Sequence, residues 1–127
     1  MTYQATLLTT YKNNAGTFAS GQISVTGGDE DDFSFTVAAA TTNDSHPLAL
    51  AVATMGGVCL ISDVPVTIKT NSTSAPGNTI TLAAGVPLAW MTGAAGANPL
   101  TVDVTALYIT NAGAAPAHVQ MSINRSV

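Results

Sequence analysis

Residues 117–124, AHVQMSIN, decide the fold class, because apolar and polar side chains alternate along their whole length. Ala117, Val119, Met121 and Ile123 fall on one side of an extended chain, and the polar residues between them fall on the other. A period of two belongs to a β-strand with one face in a core and the other in water. The segment therefore predicts a half-buried strand.

The same alternation recurs along the chain, and no window of useful length carries a helical stripe. Turn signals separate the alternating segments, with Asn, Gly and Pro at the points where a chain reverses. The alternating segments are 22–26, 33–37, 64–69 and 79–82, and the turns are 13–16, 27–29, 74–78 and 111–116. We expect one all-β domain over residues 1–127, an antiparallel two-sheet β-sandwich, jelly-roll-like, with about eight or nine strands.

Three segments fit this pattern less well. Ala38–Ala40 is compatible with the start of a helical turn, and the polar residues 41–47 are predicted to be a loop that ends it. Residues 48–53, LALAVA, alternate large and small side chains, which favours a buried strand over a short helix. The Gly- and Ala-rich residues 92–99 are predicted to be a surface loop.

The composition indicates a surface that neighbours cover. Charged residues make up 8% of the chain and hydrophobic residues 46%, against about 25% charged in an ordinary soluble domain. Four of the seven acids lie in one run at 29–32, and three basic residues are too few for a phosphate-binding patch. We therefore expect no nucleic-acid partner. The start of the chain has no basic, apolar leader and no segment reaches the length of a membrane span, so we expect synthesis in the cytoplasm and no membrane partner.

Catalytic machinery is not visible in the sequence. His46 and His118 have no metal-binding spacing, and no nucleophile elbow, phosphate loop or dinucleotide fingerprint occurs. The single cysteine, Cys59, lies in an apolar run and is interpreted as a small core residue. We expect neither an enzyme nor a cofactor.

The acidic run Asp29, Glu30, Asp31 and Asp32 has three interpretations. Its oxygens could bind Ca²⁺, although the run lacks the residue order of an EF-hand loop. It could be a solvated turn that protects the following strand from edge pairing. It could also dock onto a basic surface of a partner.

The aromatic residues Trp90, Tyr3, Tyr11 and Tyr108 raise a second question. Gathered in one place, they would form a platform for a sugar ring. An isolated tryptophan is otherwise an anchor in a core or an interface. The sequence leaves both readings open.

Three segments of the C-terminal half resemble a known class of virion protein. They are 64–71 (VPVTIKTN), 78–90 (NTITLAAGVPLAW) and 104–111 (VTALYITN), followed by the final strand. Together they resemble the decoration, or cement, proteins on the capsids of tailed bacteriophages. The resemblance implies a β-rich subunit, often a homotrimer, that is made in the host cytoplasm, binds the major capsid protein and stabilises the virion. It carries over no catalytic or binding residue.

The candidate contact surface is the N-terminal segment Thr2–Lys12, an arm that could add to the sheet edge of a neighbour. Leu7 and Leu8 point to opposite sides of any strand formed there. The interface candidates are Leu7, Leu8, Tyr11, Trp90, Asp29, Glu30, Asp31 and Asp32. Another phage part, such as a head-fibre base or tail accessory, and a carbohydrate-binding module are the alternative functions.

Overall fold

The computed structural model describes residues 2–126, without the side chains of Thr17 and Phe18. In that part of the chain nearly every regular element is a strand, and one 3₁₀ turn spans Val52–Thr54. The strands are β1 (Tyr3–Asn13), β2 (Gly16–Gly27), β3 (Asp29–Val37), β4 (Thr41–Leu50), β5 (Met55–Ser62), β6 (Val66–Thr70), β7 (Thr79–Leu82), β8 (Leu88–Met91), β9 (Val104–Asn111) and β10 (Ala117–Arg125). No helix in these described residues is long and apolar enough to cross a membrane.

Eight of the strands form two antiparallel four-stranded sheets. Sheet I has the order β3-β10-β5-β8, and sheet II has the order β4-β9-β6-β7. If β3 is counted as the first of the eight, the orders become 1-8-3-6 and 2-7-4-5, the strand order of a jelly roll. The predicted fold class is confirmed, and the strand count is higher than predicted because β1 and β2 form a separate two-stranded sheet.

The core lies between the two sheets and is built by the alternation seen in the sequence. Val119 and Ile123 of β10 face Ile109 of β9 across it, and all three are fully buried. Complete burial of one such side chain stabilises the fold by about 1.5–3 kcal/mol. The segment 117–124 is therefore the central half-buried strand that its pattern predicts.

Residues 41–47 are a strand and not the predicted loop. They form the first part of β4, at the edge of sheet II, beside β9. An edge strand tolerates Pro47 because half of its backbone groups need no ladder partner. Asn43, at φ 53°, lies within a register shift between Thr41 and Asp44. The polar composition and the proline predict a loop, but both are also compatible with a strand at the edge of a sheet.

The two neighbouring expectations are also corrected. Ala38–Ala40 begins no helical turn but forms the connection from β3 to β4, where the Ala40 N–H donates to the carbonyl of Gly113 at 3.0 Å. The predicted strand 48–53 ends at Leu50, and the 3₁₀ turn follows. The N–H of Val52, the first residue of this turn, donates a hydrogen bond to Asp103 Oδ1 at 2.8 Å. Residues 92–99 contain no strand, as expected.

The side chain of Asn111 holds two connections of the sandwich together by uncharged hydrogen bonds. Asn111 is fully buried, and its Nδ2 donates to the carbonyl oxygens of Val37, Ala38 and Ala115 at 2.8–3.3 Å. Its Oδ1 accepts from the Gly113 N–H at 3.1 Å. One amide thus satisfies backbone groups from two connections, as a buried polar group must.

Candidate functional site

The N-terminal hairpin, strands β1 and β2, is a sheet of its own beside the two sheets of the sandwich. Its two strands pair antiparallel from Tyr3 opposite Gly27 to Asn13 opposite Gly16. The predicted arm Thr2–Lys12 is therefore not a single free strand, because β2 accompanies it along its length. Residues 3–27 form one two-stranded element.

The two faces of the hairpin differ in burial. Ala5 and Leu7 of β1 lie on the same face as Ile23 and Val25 of β2, and all four are partly buried. Leu8 lies on the opposite face and is 64% exposed. The prediction that Leu7 and Leu8 face opposite sides is confirmed.

The base of the hairpin is seated on the outer face of sheet I. Asn124 of β10 donates from Nδ2 to the carbonyl of Tyr3 at 3.1 Å. A Cβ atom at Gly27 would lie 2.3 Å from Asn124 Oδ1 and 2.4 Å from the carbonyl oxygen of Arg125. Gly27 is therefore required by the close approach of two backbones. Trp90 faces the core, so the next residue, Met91, faces outward. Met91 is nevertheless only 4% exposed, because the hairpin covers it.

The hairpin runs over sheet I from β10 towards the β8 edge. Its base contacts Asn124 of β10, and Val25 approaches Gly56 of β5. Farther along, Leu7 lines a groove with Met91 of β8 and a second hollow with residues 93–95, which follow β8. The far end of the hairpin therefore projects beyond the β8 edge of the sheet.

We call residues 8–22 the hairpin tip, and every side chain described there is exposed. Leu8 and Tyr11 are among the most exposed large apolar side chains, at 64% and 62%. Lys12 is the only charged side chain of the hairpin, and it forms no ion pair with the described residues. An isolated two-stranded hairpin is marginally stable in water, and the part of the chain that the structure describes does not cover the tip.

A groove lies between the hairpin base and the outer face of sheet I. It has a volume of about 320 Å³ and is lined by Leu7, Glu30, Cys59, Ala89 and Ser122, among others. A second hollow adjoins it along the same face and shares Cys59 and Ser122 with it. Asp32, Ile61 and Gln120 line this second part. The combined surface, which we call the sheet I groove, has an apolar floor and an acidic side.

The expectation that Cys59 is a core residue is wrong. Strand alternation places Val58 and Leu60 in the core and turns Cys59 to the outer face, where it is exposed. Neighbouring atoms of the groove nevertheless desolvate the sulfur, and this burial raises the pKa of the Cys59 thiol above its ordinary value of 9.0. Its apolar sequence context resembled a buried run, but a strand buries only alternate residues.

The acidic run is the first half of edge strand β3, and not a turn. Asp29 and Asp31 share the face that carries Arg125, whose Nη2 donates to Asp29 Oδ2 at 2.5 Å and also to Asp31 Oδ2. Glu30 and Asp32 lie on the outer face, where Asp32 Oδ1 accepts a hydrogen bond from Ser122 Oγ at 2.6 Å. Alternation thus splits the run, and among the described residues no group of three or more His, Cys, Asp or Glu side chains could hold a metal ion. Charges on an edge strand oppose pairing with another sheet, as the second interpretation proposed.

The aromatic residues are not brought together. Trp90 packs against the core from β8 in sheet I. Tyr108 lies on β9 in sheet II, where it alternates with the buried Leu107 and Ile109 and so faces outward. Tyr3 and Tyr11 lie on the hairpin. The structure therefore assembles no four-residue platform for a sugar, and Trp90 is a partly buried anchor of the core.

The two histidines occupy edge and surface positions. His46 Nε2 lies 2.8 Å from Asp44 Oδ2, and the His46 ring lies 4.7 Å from the ring of Phe35. His118 is exposed on β10, and its ring contacts Thr36 Oγ1 at 3.5 Å. His46 belongs to β4 and is half-buried, so its predicted position in a polar loop is corrected.

Comparison with known proteins gives one structural likeness. No family model matches the chain, and no curated protein matches it. A solved structure from a study describing Bacillus endospore appendages as "a novel family of disulfide-linked pili" is 19% identical, with a TM-score of 0.43. The match covers 78% of this chain and 86% of that one.

Proposed function

We propose that this chain is a structural subunit of a larger protein assembly and that the hairpin tip is its contact with a neighbouring subunit. The exposure of the whole tip carries the proposal. From residue 8 to residue 22 the two strands pair only with each other, and each has an outer edge without a strand partner in the described chain. Backbone groups on such edges, beside exposed Leu8 and Tyr11, are suited to bind a second protein.

The charge distribution supports a contact role for the tip. Exposed strands of monomeric proteins are ordinarily protected by several charged residues or by proline. Strands β1 and β2 contain no proline and one charged residue, Lys12. By contrast, edge strand β3 carries four acids and edge strand β4 carries Pro47. The chain thus protects two long edges of its sandwich and leaves the hairpin unprotected.

The assembly that the sequence resemblance favours is the head of a tailed bacteriophage. In that setting the subunit is a capsid decoration protein, its partners are the major capsid protein and two further copies of itself, and its location is the capsid surface. The jelly roll is compatible with this role, since capsid proteins use it, but lectins use it as well, and architecture alone assigns no function. Other phage structural parts would use the same hairpin contact.

A pair of matched substitutions tests the contact role. Leu8→Asp places a charge in the tip, and Val86→Asp places the same charge at a 56% exposed apolar residue of the sandwich. We expect the unmodified chain and the Val86→Asp variant to self-associate at high concentration, as measured by light scattering coupled to size exclusion. Leu8→Asp should stay monomeric with an unchanged melting temperature. A wild-type chain that is monomeric at its highest soluble concentration, or equal association of both variants, would contradict the proposal.

A further inference from the structure

We infer that the sheet I groove of one copy receives the hairpin tip of a second copy, with Lys12 placed against Glu30 and Asp32. This inference rests on the proposed function, and it names the partner surface. It follows from three features: the direction of the hairpin, the distribution of unpaired charge, and the shape of the outer face of sheet I.

The direction of the hairpin brings its tip to a particular side of a neighbour. The base lies over β10, and the tip extends past β8, at the opposite edge of sheet I from β3. A neighbour whose β3 edge lies beside this β8 edge would receive the tip on the outer face of its own sheet I. Seven residues from Leu8 to the turn extend about 23 Å, and four strands are about 14–19 Å wide, so the tip can reach across the neighbour's sheet.

The unpaired charges are complementary. Of the three basic residues, Arg125 is already paired with Asp29 and Asp31, and Lys69 lies on sheet II, where its Nζ donates to the carbonyl of Thr73. Lys12 is the remaining one, and it is at the tip. On the outer face of sheet I, neither Glu30 nor Asp32 has a basic partner among the described residues. In such a contact, one copy uses its hairpin tip, which carries Lys12, and the other copy uses the outer face of its sheet I, which carries Glu30 and Asp32.

The floor of the groove lies where the turn of an incoming tip would reach. Cys59, Ile61 and Ala89 expose small and medium apolar surface there, between the hairpin base and the acidic strand β3. Leu8 and Tyr11 lie on opposite faces of the hairpin and nearer to its base than Lys12. With Lys12 against β3, the turn of the tip, residues 13–16, would therefore cover this surface. An apolar centre with charges at its side is the usual arrangement of a protein interface.

A contact between two different surfaces is heterologous, and copies joined in this way form a closed ring or an open filament. A ring of three would account for the homotrimer that the phage resemblance implies. A symmetric dimer through two tips would use the same surface twice and would not place Lys12 on Glu30.

The test is a charge exchange in the full chain, measured by light scattering over a concentration series. We expect Lys12→Glu and the double variant Glu30→Lys/Asp32→Lys each to weaken self-association about tenfold or more, because like charges then face each other. The triple variant that combines these changes should associate again. Lys69→Glu, with the same change of charge on sheet II, should associate like the wild type, and melting temperatures control for folding.

A second readout locates the contact without changing a charge. Cys59 lies in the floor of the groove, so an incoming tip should slow its alkylation by a maleimide at concentrations where the chain associates. The Leu8→Asp variant should show no such slowing. If the wild type associates while the charge variants associate equally well and Cys59 stays reactive, the groove is not the receptor and the contact role of the tip stands. If the wild type remains monomeric, both proposals fail.

Discussion

The sandwich and the N-terminal hairpin are built from the same kind of alternating sequence but differ in what covers their apolar side chains. In the sandwich, Ile109 and Val119 are fully buried between two sheets. In the hairpin, Leu7 is partly covered by sheet I, and Leu8, one residue later, is 64% exposed. Alternation therefore identifies a strand, but it does not show whether the covering surface belongs to the same chain. Burial between two sheets gives the sandwich its folding stability, and we propose that the exposed side chains of the hairpin contact other proteins.

The largest difference between the two regions should appear when one apolar side chain is truncated in each. Ile109→Ala leaves a cavity at the centre of the core and should lower the free energy of unfolding by about 2–5 kcal/mol. Leu8→Ala removes a side chain that is mostly in water and should change it by less than about 0.5 kcal/mol. Urea denaturation at a concentration where the chain is monomeric measures both. Similar losses for the two variants would show that the tip is part of the cooperative fold.

A matched pair of asparagine substitutions should give the next largest effect. Asn111→Ala removes the amide that holds the carbonyls of Val37, Ala38 and Ala115, and it leaves buried groups unsatisfied. We expect a loss of about 1–3 kcal/mol in the free energy of unfolding. Asn14→Ala, in the exposed turn of the hairpin, should be nearly neutral. An Asn111→Ala variant as stable as the wild type would disprove the role assigned to this amide.

The seat of the hairpin can be disturbed on its own. Gly27→Ala introduces a Cβ that overlaps Asn124 Oδ1 and the Arg125 carbonyl, so the base must shift at a cost of about 1–3 kcal/mol. We expect faster hydrogen exchange of the amides in β1 and β2, roughly tenfold or more, with smaller changes in β6 and β9. Gly21→Ala, where a Cβ meets nothing within 4 Å, is the control. Unchanged exchange in the Gly27→Ala hairpin would contradict the described seat.

The smallest effect concerns the groove. Because desolvation raises the pKa of the Cys59 thiol, the folded chain holds less thiolate than the unfolded chain at any pH near or below 9. Its reaction with iodoacetamide at pH 8 should be slower in the folded monomer than in urea, after correction for the solvent. The same shift should make the fold slightly less stable as the pH rises above 9, because the unfolded thiol releases its proton more readily. Faster alkylation of the folded chain would indicate a different surrounding of this thiol.

The sequence predicts the sandwich better than the site for a physical reason. The alternation in residues 117–124 reports burial within the chain, and it correctly predicts the central strand β10. Residues 41–47 were predicted to be a loop and are an edge strand. An edge strand needs half as many backbone partners and therefore tolerates polar residues and Pro47. Leu7 and Leu8 were predictable as opposite faces of one strand. For β2, which accompanies them, the one sequence feature that bears on the proposed contact is the absence of charged residues from 13–28.

The groove was not predictable, because it depends on where the hairpin lies over sheet I. Glu30 and Asp32 are adjacent in sequence to Asp29 and Asp31, and only strand alternation separates the two pairs. Asp29 and Asp31 bind Arg125, and Glu30 and Asp32 have no basic partner among the described residues. Cys59 and Ala89 meet through the register of β5 and β8, which no local pattern encodes. Long-range pairing of this kind is set by the whole fold.

Hydrogen exchange of the hairpin tip, measured on the same chain below and above the concentration at which it associates, tests the central claim most directly. The amides of residues 8–22 should exchange rapidly in the monomer, since a two-stranded ribbon in water opens readily. They should become strongly protected in the assembly, while the amides of β9 and β10 are protected in both states. A tip that is already protected in the monomer, or that exchanges equally fast in the assembly, would contradict the claim that a neighbouring subunit completes it.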